Sequence, residues 1–288
     1  MSSVLRSKKP GRLTRPYVIK LGGELLEEPR RLRQLARALS RLASQHPLIV
    51  VHGGGRAVDT EMTKLGLQKR SIDGLRVTDG PTLDVVLGVL AGRVNTRLVA
   101  AIGATGGRAV GVTGADAGIA MVRAARKYRT TNGTFKDLGF VGVPKSKTGS
   151  PRLLLDLVKD GYVPVIASIG TDEKGQLYNV NADTLSADIA VRLKADQLTI
   201  AGTTRGVLDD EGNTIPVIDD CRMTALIRHR HATAGMVAKL IACQAAGGGG
   251  VGRVSIVDGR RRGALNQNAK REMTLVTATG KNQRTSLR

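Results

Sequence analysis

Two short apolar segments, each ending in adjacent glycines and followed by a helical pattern, constrain the fold of this chain most. The first covers residues 17–20 and continues as Leu21-Gly22-Gly23-Glu24. The second covers residues 48–51 and continues as His52-Gly53-Gly54-Gly55. A strand that ends in a glycine turn before a helix brings bare backbone N–H groups up to a phosphate. Because neither segment matches GxxxxGKS/T or GxGxxG, the prediction of a phosphate site depends on this repetition.

Strand and helix patterns alternate along the rest of the chain. Short apolar runs, typical of buried parallel strands, occupy residues 109–113, 163–167, 198–201 and 254–257. Apolar residues at helical spacing cover residues from about 29, from about 57, 81–102, 153–158, 184–194, 221–230 and 236–246. Asn132-Gly133 predicts the tight turn of a β-hairpin. We therefore predict an α/β fold, an αβα sandwich with a largely parallel central sheet and helices on both faces.

The positive charge of the chain is concentrated in three segments. Of a formal net charge of +21, residues 1–16 contribute +5, residues 123–147 contribute +6 and residues 259–288 contribute +7. Solvated tails would explain this distribution, and so would an acidic protein partner or a nucleic acid. Aromatic residues make up only 2% of the chain, so stacking platforms for single-stranded nucleic acid are not expected, and we expect no nucleic-acid partner.

The two cysteines, Cys221 and Cys243, fit neither a metal-binding spacing nor a disulfide framework. Residues 1–16 lack the apolar segment of a signal peptide, and no uninterrupted apolar run approaches the length of a membrane span. We therefore expect a cytoplasmic protein that does not associate with membranes.

The residues best suited to chemistry follow the predicted strands. Lys20, the glycines at 22–23 and 53–55, and the segment Asn179-Val180-Asn181-Ala182-Asp183 would all lie beyond carboxyl ends of strands, where ligands bind in sheets of this kind. Lysines, backbone amides and one carboxylate suit phosphoryl transfer, which needs positioning and neutralisation of charge on the transferred group.

In this order, Lys-Leu-Gly-Gly, His-Gly-Gly-Gly, Gly-Leu-Arg-Val-Thr-Asp and Asn-Val-Asn-Ala-Asp resemble motifs of the amino acid kinase family. The resemblance extends over residues 17–259, most of the chain. Within the family, the motifs most resemble those of the members that phosphorylate the γ-carboxylate of N-acetyl-L-glutamate. The resemblance implies that N-acetyl-L-glutamyl 5-phosphate is the product, in arginine (ornithine) biosynthesis, and that ATP and Mg²⁺ are required.

The resemblance also implies a role for each motif residue. Lys20 and Lys239 would contact the transferring phosphoryl group, with Asp183 holding both ammonium groups. These three are the catalytic residues that it implies. The substrate-binding residues that it implies are Gly54, Gly55, Arg76, Asn179 and Asn181. The nucleotide-binding residues that it implies are Gly22, Gly23, Thr203, Thr204, Gly206, Val207, Leu208 and Thr233.

The implied reaction is direct in-line attack of a substrate carboxylate oxygen on the ATP γ-phosphorus. No general base is needed, because a carboxylate is ionised at neutral pH, and no residue is assigned to the metal. Mg²⁺ would be held largely by phosphate oxygens. The resemblance implies a homodimer or larger homo-oligomer. From the residues themselves we predict a flexible basic arm at 1–16. With the resemblance, we expect a lobe for the acyl-amino acid at 17–175 and a nucleotide lobe with a basic tail at 176–288.

Two departures and two alternatives accompany this prediction. Thr203 stands where the family usually has aspartate, and Ala234 where it usually has glycine. One alternative is a kinase for glutamate or aminoadipate attached to a small acidic carrier protein. Such kinases usually lack the complete Gly-Leu-Arg-Val-Thr-Asp segment, so we favour the free acetylated substrate. The other alternative is a basic nucleic-acid-binding protein.

Overall fold

A computed structural model describes residues 15–125, 128–130, 133–145, 148–228, 234–265 and 273–277. The strands are β1 Tyr17–Leu21, β2 Leu48–His52, β3 Ser71–Ile72, β4 Leu75–Arg76, β5 Ala109–Thr113, β6 Val122–Ala124, β7 Tyr128–Arg129, β8 Phe135–Lys136, β9 Val141–Pro144, β10 Val163–Ala167, β11 Ile169–Thr171, β12 Leu177–Val180, β13 Gln197–Gly202, β14 Val217–Asp219, β15 Arg253–Asp258 and β16 Met273–Thr277. The α-helices are α1 Pro29–Ala43, α2 Gly55–Lys64, α3 Gly80–Leu87, α4 Asn95–Gly103, α5 Arg152–Lys159, α6 Ala182–Arg192, α7 Asp220–Arg228 and α8 Ala234–Gly248.

One eight-stranded sheet organises the described residues, in the order β14-β16-β15-β13-β1-β2-β10-β5. Its pairs are parallel except β15 and β16, which run antiparallel. Strand β1 is central, with Lys20 beside Ile200 of β13 and Val51 of β2. All residues of β2 and β13 are buried, as strands covered on both faces must be. The predicted α/β fold with a largely parallel sheet is confirmed.

Side chains alternate between two hydrophobic cores, one on each face of the sheet. Val18 and Ile49 belong to the core beneath α6 and α8, whereas Ile19 and Val50 belong to the core beneath α1 and α4. This alternation follows from the two-residue period of a strand. The sheet is therefore the middle layer of three, as the sandwich prediction required.

Helices α3 and α4 are joined without interruption by a π-helical segment, Gly88–Val94. Helix α3 begins at Gly80, and the preceding residue, Asp79, is its N-cap, because its side chain accepts a hydrogen bond from the Thr82 N–H (3.1 Å). By length and composition alone, Gly80–Gly103 could cross a membrane. However, Leu98 and Ile102 are fully buried in the core, so we interpret it as a core helix.

The structure differs from the sequence-based prediction at the carboxyl end. We expected 254–257 to be the last strand, followed by a tail, but β16 continues the sheet between β15 and β14. Its Thr274 Oγ1 donates a hydrogen bond to Ile215 O (2.7 Å) and accepts one from the Val207 N–H (2.8 Å). The predicted hairpin has its strands β7 and β8 paired antiparallel. Its turn residue Asn132 and residues 1–14 of the predicted arm lie outside the described residues.

Candidate active site

A cavity of about 340 Å³ opens at the carboxyl ends of β1, β2 and β10. It contains ten of the residues assigned from the sequence: Lys20, Gly22, Gly23, Gly54, Gly55, Arg76, Asn179, Asn181, Asp183 and Lys239. These residues come from distant parts of the sequence and meet because parallel strands end at the same edge of the sheet.

A buried ion pair forms the charged end of the cavity. Lys20 Nζ lies 2.8 Å from Asp183 Oδ1, and both side chains are 8% exposed. The Asn181 side chain caps α6 by accepting hydrogen bonds from the N–H groups of Asp183 (2.9 Å) and Thr184 (3.0 Å). Asp183 therefore lies in the first turn of α6, where the helix dipole favours a negative charge. Removing either partner of such a pair leaves an uncompensated buried charge.

Lys239 enters the same end of the cavity from α8. Its Nζ donates a hydrogen bond to Gly235 O (3.2 Å). Burial lowers the pKa of Lys239, Asp183 raises it, Lys20 lowers it and Glu24 raises it, and the net result is a lowered pKa. The direct ion pair in the cavity thus joins Lys20 to Asp183, and Lys239 interacts with Asp183 at longer range.

The two glycine turns touch each other. A Cβ added to Gly23 would lie 2.5 Å from Gly54 Cα, and one added to Gly54 would lie 2.6 Å from Leu90 Cδ2. Only glycine permits this approach. The Gly22 N–H donates to Ala201 O (2.9 Å) and the Gly53 N–H donates to Leu21 O (3.1 Å).

The N–H groups of Gly22 and Gly53 are therefore already hydrogen-bonded to strand carbonyls. This leaves the amides of Gly23, Gly54 and Gly55 for a ligand in the cavity.

The buried His52 side chain holds the second glycine turn in place through a hydrogen bond to its backbone. Asn95 Nδ2 donates to Val165 O (2.9 Å), which sets the orientation of the amide, and it lies 3.1 Å from His52 Nε2. Nε2 is therefore the acceptor, and Nδ1 carries the proton and donates to Gly53 O (3.0 Å). Burial lowers the pKa of His52 to about 4, although the hydrogen bond to Gly53 raises it, so the ring is neutral at physiological pH.

Arg76 reaches the cavity from the β3–β4 hairpin. Its guanidinium pairs with Asp59 and donates to Gly55 O (3.0 Å) and Met62 Sδ (3.0 Å). Burial raises the pKa of Asp59, but hydrogen bonds from Lys69 and Arg76 outweigh burial and leave it lowered. Arginine has five N–H donors, so these contacts hold the guanidinium in place and leave donors for a carboxylate ligand.

The two asparagines also line the cavity. Asn179 Nδ2 donates to Thr78 Oγ1 (3.1 Å), and the Asn179 N–H donates to Phe140 O (2.9 Å). Asn181 uses its side-chain oxygen for the cap of α6, so its amide nitrogen is the group it can offer to a substrate.

Most of the predicted nucleotide contacts lie outside this cavity, on the loop after β13. They are Thr203, Thr204, Gly206, Val207 and Leu208. Val207 already uses both backbone groups, because its N–H donates to Thr274 Oγ1 (2.8 Å) and its carbonyl accepts from the Ile215 N–H (2.8 Å). Thr233 lies outside the described residues.

Eleven further lining residues had no role assigned from the sequence, although Gly53, Val180 and Ala182 lie in segments that we placed beyond the carboxyl ends of strands. They are Glu24, Gly53, Val58, Gly74, Leu75, Val86, Leu90, Val141, Ser168, Val180 and Ala182. Ser168 directly follows the buried strand β10, a position where ligand contacts are expected, so the sequence did contain that signal. Among the residues that the structure describes, no three His, Cys, Asp or Glu side chains group to hold a metal ion.

Comparison with known proteins agrees with this architecture. Residues 15–258 match the model of the amino acid kinase family, and the chain belongs to that family. Within it, an acetylglutamate kinase from Heliobacterium modesticaldum is 41% identical over 77% of this chain and 76% of its own length. An acetylglutamate kinase from Roseobacter denitrificans is 39% identical over 84% of this chain and 81% of its own length.

A solved structure supports the fold alone. The N-acetylglutamate synthase of Neisseria gonorrhoeae superimposes with a TM-score of 0.78 at 23% identity. The match covers 92% of this chain and 60% of the synthase. The named sequence relatives do not favour the carrier-protein or nucleic-acid alternatives.

Proposed function

We propose that this chain transfers the γ-phosphoryl group of ATP to the γ-carboxylate of N-acetyl-L-glutamate. The product is N-acetyl-L-glutamyl 5-phosphate, an intermediate for arginine biosynthesis. The observation that carries the proposal is a single cavity with a Lys20–Asp183 ion pair and Lys239 at one end. Arg76 and Asn179 line the same cavity. The acetylglutamate kinase relatives support the choice of substrate.

In the proposed reaction the substrate carboxylate is the nucleophile. It is ionised at neutral pH, so the site needs no base to activate it. Lys20 and Lys239 offset the charge that spreads over the phosphoryl oxygens, and Asp183 keeps these lysines apart and oriented. The amides of Gly54 and Gly55 orient the reacting carboxylate, and Gly23 approaches the ATP phosphates.

Arg76 and the two asparagines would select the substrate. Arg76 would bind the α-carboxylate through the N–H groups that Asp59, Gly55 and Met62 leave available. Asn179 and Asn181 would contact the acylated amino group. The proposed nucleotide contacts on residues 203–208 and Thr233 extend the site toward the adenosine.

Three further features belong to the proposal. Mg²⁺ would be held by ATP phosphate oxygens and would neutralise phosphate charge. Residues 17–175 would hold the acyl-amino acid, and residues 176–288 would hold the nucleotide. The chain would act as a homo-oligomer in the cytoplasm.

A coupled ADP-release assay with N-acetylglutamate, glutamate and N-acetylaspartate tests the function. We expect turnover with N-acetylglutamate, and a fall of at least about a hundredfold in kcat for Lys20→Met and Asp183→Asn. Lys64→Met, on the exposed end of α2, is the matched control and should keep the wild-type rate. Absence of turnover at millimolar N-acetylglutamate would refute the proposal, and unchanged rates in both site variants would refute the site.

A further inference from the structure

A second cavity, of about 370 Å³, lies between α1 and the turn that follows β15. We name it the arginine groove. Six arginines line it: Arg31, Arg37 and Arg41 from α1, and Arg260, Arg261 and Arg262 from the turn. Among the residues that the structure describes, no acidic residue lines it, and it shares no lining residue with the candidate active site.

Carboxylates neutralise only part of this positive charge. Arg260 forms two hydrogen bonds with Asp258, at 2.9 and 2.7 Å. Arg31 lies 3.6 Å from Glu28. In the part of the chain that the structure describes, Arg37, Arg41 and Arg262 form no ion pair with a carboxylate.

The sequence of α1 makes this arrangement unfavourable without a counter-ion. Arg37 and Arg41 are four residues apart on the exposed face of α1, whereas Leu35 and Leu39 are buried on the other face. Like charges at this spacing destabilise a helix. The turn after β15 adds three more arginines to the same concave space, which increases the repulsion between like charges.

The turn is held firmly against the sheet. The Gly259 N–H donates to Gly202 O (2.8 Å), and a Cβ added to Gly259 would lie 2.5 Å from Leu25 Cδ1. Asp258 is buried and fixes Arg260. The arginines on the turn therefore face α1 from a rigid base, which reduces the ordering cost of binding.

We propose that the arginine groove binds a small anion with at least two negative charges. Guanidinium groups from two elements match phosphate or carboxylate oxygens bidentately. A volume of this size lies within the range of small-molecule pockets and is small for a folded protein partner. Phosphate-bearing and carboxylate-bearing anions share this chemistry, so the test includes both.

Isothermal titration of the full chain tests the groove, without added nucleotide, because ADP is itself a multiply charged anion that would compete for the groove. The variants change no residue that lines the candidate active site, so binding there is common to all of them. The probes are inorganic pyrophosphate and citrate. The test variant is Arg37→Gln with Arg41→Gln. The matched control is Arg30→Gln with Arg33→Gln, which removes the same charge from exposed positions of α1 outside the groove. Arg262→Gln is a second test variant on the other wall.

We expect the wild type and the control to bind the probe in the groove with equal affinity. The affinity should fall at least tenfold in Arg37→Gln/Arg41→Gln and severalfold in Arg262→Gln, with unchanged thermal unfolding. Equal affinity in the test and control variants would overturn the proposal, because the effect would then be one of net charge. So would binding of polyglutamate without binding of either probe, since the partner would be an acidic polypeptide. These titrations do not require catalysis, so failure of the kinase assignment would leave their outcome unaffected.

Discussion

At the scale of single residues, two buried ionisable side chains differ in their partners. Lys20 is buried beside Asp183, at 2.8 Å, and the pair shares a charged end of the cavity. His52 is equally buried but has only neutral hydrogen-bond partners, Asn95 and Gly53, so burial keeps it uncharged. Each outcome follows from the partner rather than from burial alone.

The neutral His52 predicts a pH dependence of stability. Its pKa is lowered from 6.5 to about 4 in the folded chain, so between these values the unfolded chain binds a proton that the folded chain does not. The stabilisation is complete above pH 6.5 and is lost as the pH falls through 4, by up to about 3 kcal/mol.

Urea unfolding between pH 4 and 7 measures this effect. His52→Gln should flatten the dependence of the unfolding free energy on pH, and His46→Gln, outside the core, should keep the wild-type dependence. Equal slopes for wild type and His52→Gln would contradict the assignment.

Glu24 predicts a second pH effect, on catalysis. Glu24 raises the pKa of Lys239, whereas burial, the largest effect, lowers it. Glu24→Gln removes the raising effect, so the pKa of Lys239 should fall further. Because the proposed reaction needs a charged Lys239, the alkaline limb of kcat/KM should move to lower pH. Glu27→Gln, at an exposed position of the same segment, serves as the control. An alkaline limb at the wild-type pH in Glu24→Gln would show that Glu24 does not affect the pKa of Lys239.

At the scale of elements, the β7–β8 hairpin contacts the β3–β4 hairpin, which carries Arg76 into the cavity. In the β3–β4 hairpin the turn residues Asp73 and Gly74 both have positive φ, 48° and 77°, the geometry of a tight hairpin turn. Leu75 and Tyr128 of β7 both pack against a small apolar cluster of Ala125, Leu138 and Val141. The Tyr128 hydroxyl donates to Asp73 Oδ2 (3.2 Å), so β7 and β8 brace the hairpin that presents Arg76.

We expect Tyr128→Phe to weaken substrate binding, because it removes this hydrogen bond and keeps the ring. A partly buried hydrogen bond contributes about 1 kcal/mol, so KM for N-acetylglutamate should rise roughly fivefold with little change in kcat. Steady-state kinetics test this, with Phe135→Leu on the exposed side of β8 as the control. An unchanged KM would mean that the brace does not position Arg76.

The two thiols of the chain should differ in reactivity, because α8 buries one of them. Cys243 is fully buried one turn after Lys239, and burial raises the pKa of its thiol strongly, with Asp183 adding to the effect. Cys221 on α7 is exposed. An aromatic disulfide reagent should therefore titrate one thiol in the native protein and two in denaturant. Two fast-reacting thiols in the native protein would mean that α8 opens readily.

At the scale of the whole molecule, the sequence predicts elements better than it predicts their contacts. The apolar runs before Gly22 and Gly53 were sufficient to predict β1 and β2. That Gly23 touches Gly54 could not be predicted, because it depends on the register that pairs Leu21 with His52. Strand β16 was missed because five residues in a basic, polar segment have no periodic signal. Pairing with β14 and β15 determines that strand, and local propensity does not.

The position of β16 predicts different effects of two carboxyl-terminal truncations. A chain ending at Thr277 keeps β16 and should unfold at the wild-type temperature. A chain ending at Leu265 loses β16, exposes the edge of β15 and leaves the Val207 N–H without Thr274. We expect a melting temperature at least about 10 °C lower, or aggregation. Calorimetry of both chains decides, and similar melting temperatures would show that β16 contributes little.

The central position of β1 has a consequence for how this chain is made. A ribosome delivers β1 and its neighbour β2 early, but the strand on the other side of β1, β13, leaves the exit tunnel much later. Until then the strand that carries Lys20 has an open edge able to pair with other nascent chains. Contacts between such distant segments also form slowly. Chaperone depletion should therefore reduce the yield of this protein during synthesis more than it affects the finished enzyme.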